Sequence, residues 1–132
     1  MAVTIPNAFL DLFRKKAFAH LVTLMPDGSP QTSPVWCDLD GECVRINTER
    51  ERLKFKNLKR DPRVALSISD PDNAYRYLEV RGRVVETTER DAAQHIDQLA
   101  KRYMGVDKYP YSKPGDVRVI VRIRPERVSS MG

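Results

Sequence analysis

The chain has 132 residues, 41% of them hydrophobic and 31% charged, with a formal net charge of +5 and a pI near 9.4. That length supports one core and so one domain over 1–132, and the composition excludes a disordered or low-complexity chain. No apolar run approaches the about 20 residues of a membrane-spanning helix, and residues 1–14 lack the pattern of a secretory signal, so a cytoplasmic protein without a membrane partner is expected.

In chain order, IPNAFLDLFRKKA reads as a short helix with Phe9, Leu10, Leu12 and Phe13 clustered on one side. FAHLVTLM has the β-branched and apolar content of a strand, and the turn residues of PDGS lead into a second strand, PQTSPVWCDL. DLDGE then turns the chain into ECVRIN, completing an antiparallel meander. Pro34 cannot donate to a strand ladder, which points to an edge or a bulge.

Residues 49–60 read as a basic helix with Leu53, Phe55 and Leu58 as its apolar stripe, capped by Asn47 and Thr48 and ended by Asp61-Pro62. RVALSIS and YRYLEVRGRVVETT are strands. ERDAAQHIDQLAKRYMG is the clearest helix, with Ala92, Ile96, Leu99 and Tyr103 at helical spacing and Gly105 as its stop. A loop, VDKYPYSKPGD, precedes the last strand, VRVIVRIRPERV. Strands outnumber helices and several are joined by hairpins, which favours a small barrel with helices at its ends over a doubly wound sheet.

Familiar catalytic patterns are missing. Neither histidine, His20 or His95, has metal-ligand or catalytic spacing, and each reads as structural or surface. Asp38 and Asp40 read as turn-shaping residues. Cys37 and Cys43 read as a reduced pair of small apolar residues, with a cross-strand disulfide as the alternative. No metal site and no catalytic side chain is assigned. What stands out is the cation-rich run from Asn47 to Val64, which carries Arg50, Arg52, Lys54, Lys56, Lys59, Arg60 and Arg63. A concentrated cation cluster without acid–base machinery suggests that a bound anionic cofactor does the chemistry.

The order DGSPQTSPVW, then NT, then RxKxxNLKRDPRV, then YRYLEVRGRV, with RVIVRIRPERV at the end, resembles the split-barrel flavin- and deazaflavin-binding superfamily. That group holds the pyridoxamine 5′-phosphate oxidases and the actinobacterial deazaflavin-dependent reductases. The resemblance implies a six-stranded antiparallel split β-barrel, mostly β in an α+β chain, and a homodimer with cofactor sites at the subunit interface. It also implies that Thr32, Ser33, Pro34, Val35 and Trp36 line a tricyclic ring. Asn47, Thr48, Arg52, Lys54 and Asn57 would cradle a phosphate, and Tyr75 and Arg76 would reach the same site, with the other subunit as one source.

The short chain, the basic excess and the KNLKRDPRVAL and NAYRYLEVRG segments look closer to the deazaflavin branch. The expected activity is an F420-dependent oxidoreductase that delivers hydride from the reduced deazaflavin to an unsaturated small molecule. An FMN-binding oxidase-like protein is the alternative cofactor reading. A nucleic-acid-binding small barrel is the alternative of another class, disfavoured by the lack of aromatic residues interleaved with the basic ones. A barrel that has lost its ligand and serves only as a structural dimer is the third.

Overall fold

The computed structural model describes residues 3–132. A 3₁₀ helix, Asn7–Phe13, precedes strands β1 (Ala19–Leu24), β2 (Pro30–Val35), β3 (Cys37–Asp40) and β4 (Cys43–Glu49). Helix α1 (Leu53–Arg60), strands β5 (Arg63–Asp70) and β6 (Asn73–Thr88), helix α2 (Ala92–Met104) and strand β7 (Arg118–Met131) follow. All strand pairings are antiparallel, in one sheet of order β2-β1-β5-β6-β7-β4-β3. The chain is a split barrel.

The sheet has seven strands where the sequence suggested six. The expected single strand PQTSPVWCDL divides at Trp36, and its halves pair with different neighbours, β2 with β1 and β3 with β4. That division also shows why the sheet curls. Laid flat, its first and last strands would stand roughly 29 Å apart, six spacings of about 4.8 Å. Val35 and Cys37, separated only by Trp36, can span no more than about 7 Å. The two ends of the sheet are therefore drawn together at Trp36. Pro34 sits on β2, which pairs with β1 alone, so its missing N–H interrupts no second ladder.

Alternation along the strands fills the barrel. Leu21, Ile46, Leu66, Ile68, Leu78, Val80, Val121 and Ile123 are fully buried, and Phe9, Leu12 and Phe13 of the 3₁₀ helix pack into the same core. Gly82 is needed where β6 bulges against β7, because a Cβ there would lie 2.3 Å from the Arg124 carbonyl oxygen. A second apolar cluster forms where Ile96, Leu99 and Tyr103 of α2 meet Trp36 and Tyr109.

The short opening helix is present over Asn7–Phe13 and is of the 3₁₀ type. Several local expectations are corrected. The basic helix starts at Leu53 rather than Glu49, because β4 runs on through Glu49 paired with Arg118. Asn47 and Thr48 are accordingly strand residues and cap nothing; Arg52 occupies the cap position without a side-chain bond. Asp38 and Asp40 form ion pairs with Arg45 and Arg122 instead of shaping the turn. Cys37 and Cys43 are free thiols, out of register with each other across the β3–β4 pair. Burial pushes the Cys37 thiol up to about 12.

Candidate functional site

A cavity of about 440 Å³ opens where β2, the Trp36 junction, the end of β4, the start of α1 and the loop before β7 converge. Phe18, Pro34, Trp36, Tyr109 and Tyr111 make an aromatic and apolar wall, and Arg52, Lys54 and Arg118 a cationic one, the two meeting where the Arg118 guanidinium lies over the Tyr109 ring at 5.1 Å.

The aromatic wall is built in layers. Trp36 stacks on Tyr103 of α2 with ring centroids 5.1 Å apart and planes 7° from parallel. Tyr109 meets Trp36 edge-on at 5.9 Å and Tyr111 edge-on at 5.6 Å. Tyr103 is held from behind, its hydroxyl donating to the Ala17 carbonyl oxygen at 2.6 Å. Such offset and edge-on pairs are worth about 0.5–1.5 kcal/mol beyond their burial, so Trp36 is fixed before any ligand arrives.

The cationic wall lacks counter-ions. Among the described residues, Arg52, Lys54 and Arg118 form no ion pair with a carboxylate. Glu49 is the acid in the lining, and its carboxylate instead accepts from the backbone N–H groups of Glu51 at 2.7 Å and Val117 at 3.4 Å. Burial, then the cations of Arg52 and Arg118, draw the Lys54 ammonium below the ordinary lysine value. Burial likewise lowers Arg118. Arg52 and Lys54 also sit at the cap and first turn of α1, where no acidic residue offsets the positive end of the helix dipole. Three cations in mutual repulsion, two of them at the positive end of a helix dipole, make a site that an anion would relieve.

Ser33 adds an independent sign. The residue is in the cavity lining, and its Oγ is buried without a hydrogen-bond partner in the protein. A buried hydroxyl without a partner costs about 1–3 kcal/mol, which a bound polar group would recover.

Of the sequence-derived candidates, Ser33, Pro34, Val35, Trp36, Asn47, Thr48, Arg52 and Lys54 line this cavity. Thr32 does not; it is an exposed residue of β2 outside the lining. Asn57 is fully buried on another side of α1, donating to Thr23 Oγ1 at 3.1 Å and accepting from Arg60 at 3.0 Å. Tyr75 is 81% exposed at the start of β6. Arg76 is committed to Asp70 and Asp11, both at 2.8 Å, and to the Ala8 carbonyl oxygen. Within one chain, these four lie outside the cavity.

The basic run is likewise divided. Lys56 pairs with Glu51, Arg63 with Asp61, and Arg50 with Glu89. Arg60 binds Leu24 and Asn57, and Lys59 rests over the Phe55 ring. Only Arg52 and Lys54 of the run turn to the cavity.

Sequence reasoning missed Phe18, Glu49, Ile96, Tyr109, Tyr111 and Arg118. Arg118 lies opposite Glu49 across the β4–β7 ladder, a pairing of residues far apart in the chain that no local pattern announces. Tyr109 and Tyr111 did leave a signal, an aromatic pair in an otherwise polar loop. A second hollow of about 330 Å³ lies on the outer face of β1, β5 and β6, but Arg63 and Arg81 there are already paired with acids.

The pyridoxamine 5′-phosphate oxidase family model matches residues 5–132. Among solved structures, the chain is similar to an F420 reductase at 38% identity, covering 95% of this chain and 98% of that one, with a TM-score of 0.82. It is 27% identical to the conserved hypothetical protein Rv2991 of Mycobacterium tuberculosis, over 98% of this chain and 85% of that one, with a TM-score of 0.74. The HupZ protein of Group A Streptococcus shares the fold at 18% identity, over 97% and 94% of the two chains, with a TM-score of 0.70. No curated protein matches significantly. Among the described residues no helix is long and apolar enough to cross a membrane. The match across nearly the whole length places this chain in the pyridoxamine 5′-phosphate oxidase family.

Proposed function

We propose that the chain is an F420-dependent reductase whose cavity holds the deazaflavin, with the phosphate on the cationic wall and the ring along the aromatic one. The observation that carries this reading is the convergence of Arg52, Lys54 and Arg118 without a carboxylate partner beside a layered aromatic wall. The choice of the deazaflavin over FMN rests on the 38% identity with an F420 reductase over almost the full length of both chains.

The residues present fit such a group. Lys54, in the first turn of α1, and Arg118 supply charge-assisted donors to a phosphate, and Arg52 adds a guanidinium fork from the cap position of that helix. Ser33 Oγ is a free hydroxyl for a polar edge of the ring, and Trp36, held by Tyr103, is a rigid surface beside it. When bound, the reduced deazaflavin supplies a hydride to an unsaturated small molecule, and a proton completes the reduction. The protein's contribution is orientation and the exclusion of water, with no side-chain nucleophile. A homodimer belongs to the same reading. Phe18 and Tyr111 line the cavity yet stay 49% and 63% exposed, leaving the aromatic side open to cover by a second chain.

Separate titrations with F420 and FMN, followed by ring absorbance and fluorescence, test the reading. Micromolar or tighter F420 binding, about −8 kcal/mol, with weaker FMN binding is expected. Stoichiometric FMN that F420 fails to displace would transfer the site to the oxidase-like branch.

A further inference from the structure

Behind the cationic wall runs a buried chain of polar groups. Arg118 donates its Nε–H to Asn47 Oδ1 at 2.8 Å. The Asn47 amide nitrogen reaches the Ala92 carbonyl oxygen at 2.8 Å and His95 Nδ1 at 3.1 Å. His95 Nε2 lies 3.1 Å from Asp38 Oδ2, and Arg45 grips Asp38 through two bonds of 2.9 and 2.7 Å. His95 is 2% exposed.

The direction of every bond in this chain is fixed by its neighbours. Arginine only donates, so Asn47 must turn its oxygen to Arg118 and its NH₂ to Ala92 and His95. An NH₂ also only donates, so His95 Nδ1 must accept. The ring proton then sits on Nε2, where the Asp38 carboxylate accepts it. The chain closes in one arrangement only, with the imidazole neutral and in the Nε2–H tautomer.

We propose that His95 and Asp38 are positioning residues for Arg118: the neutral ring holds the Asn47 amide in the orientation that anchors the guanidinium on the cavity wall, and protonation of the ring releases it. The inference rests on reading the cavity as an anion site. An imidazolium carries a proton on both nitrogens, so Nδ1–H would face the Asn47 NH₂, donor against donor. Turning the amide over moves the conflict to Arg118 Nε–H and strips the Ala92 carbonyl oxygen of its donor. Either way the Asn47 amide is no longer held in one orientation, and the hold on Arg118 falls to its stacking over the Tyr109 ring, 5.1 Å away. The charged groups around the ring act in opposite senses: Asp38 on β3 attracts the proton, while Arg45 on β4 and Arg118 on β7, beyond Asp38 and Asn47, oppose it.

This makes a prediction opposite in sign to simple electrostatics. A new positive charge near an anion site should tighten anion binding; loss of the Arg118 anchor should weaken it. Sulfate is the probe, because its charge stays constant from about pH 8 to pH 5, the range in which histidine commonly titrates. The ¹⁵N-labelled protein is titrated with sulfate across that range, with the histidine ring nitrogens and arginine Nε–H groups followed by NMR. Only His20, which is exposed, shares the histidine spectrum.

The expected result is an Nε2–H tautomer for His95 at the upper end and a sulfate affinity that falls about tenfold in step with protonation of that ring, the scale of one lost charge-assisted bond. His95→Gln, which cannot titrate, should show no such step. An affinity that holds or rises as His95 protonates, or an Nδ1–H tautomer, overturns the proposal on the wild-type protein alone. No sulfate binding at any pH would overturn the anion reading and this relay with it.

Discussion

Arg118 on β7 and Asn47 on β4 are joined by a 2.8 Å hydrogen bond that ties one of the cavity's cations to the interior of the protein. The bond takes one lone pair of the Asn47 amide oxygen, while both N–H groups of its nitrogen are spent on Ala92 and His95. Asn47 thus meets the cavity as a support for Arg118, whereas Arg118 and Lys54 meet it with donors to spare.

Lys54→Ala and Arg118→Ala should each weaken cofactor binding about ten- to a hundredfold, the loss of a charge-assisted bond of about 1.5–3 kcal/mol. Arg52→Lys should cost less than Arg52→Ala, since charge remains but the planar fork is gone. Lys59→Ala, whose side chain rests over Phe55 away from the cavity, is the control and should change affinity little. Without ligand, Lys54→Ala should melt no lower than wild type, because it removes a cation in repulsion with Arg52 and Arg118. Equal small losses at all of these positions would reduce the wall to ordinary surface charge.

Asn57→Ala should act on folding and leave the cavity intact. Its amide binds Thr23, Met25 and Arg60 in the interior, so its removal leaves buried polar groups unpaired and costs about 1–3 kcal/mol. Thermal unfolding with parallel ligand titration checks this. A variant of wild-type stability that had lost its affinity would return Asn57 to the phosphate.

Acid stability should depend on Asp38. Burial works to raise its carboxyl, but hydrogen bonds from His95 and Arg45 outweigh that and bring it down to about 2. An unfolded aspartate titrates near 3.9, so between these values the unfolded state binds more protons and stability rises with pH. The contribution is full above about pH 4 and is lost as pH falls toward 2. Wild type should therefore lose more melting temperature than Asp38→Asn on going from about pH 5 to pH 3. Asp11 and Asp61, held low by bonds from their arginines, and Asp70, held low first by the Asp72 backbone N–H and then by Arg76 and Lys15, are common to both proteins and cancel in the comparison. Parallel losses in the two proteins would contradict the assignment.

The architecture was legible where it depended on local pattern. Alternating apolar residues in RVALSIS and YRYLEV mark strands, and the helical spacing of Ile96, Leu99 and Tyr103 ending at Gly105 marks α2. Interruptions set by pairing were not legible. Nothing in PQTSPVWCDL announces that Trp36 leaves the ladder, because the break follows from closing the sheet on itself. The site divides the same way. Arg52 and Lys54 stand out as part of a basic run, but Arg118 looks like any strand arginine until β7 pairs with β4. Asn57 and Arg76 are polar residues in suggestive segments, yet the fold spends both on holding elements together.

Light scattering over a wide concentration range should give the mass of two chains. With the aromatic wall uncovered in the single chain, Tyr111→Ser should weaken cofactor binding more than it disturbs folding, since Tyr111 is 63% exposed. A persistent mass near 15.2 kDa would remove the shared site from the account.

The most direct measurement is a crystal structure of the protein with F420 bound. The account predicts the phosphate within hydrogen-bond distance of Lys54 and Arg118, the ring beside Trp36, and Asn47 still bonded to Arg118 Nε. A phosphate on the outer hollow lined by Arg63, Arg81 and Arg127, with the Trp36 cavity empty, would contradict it.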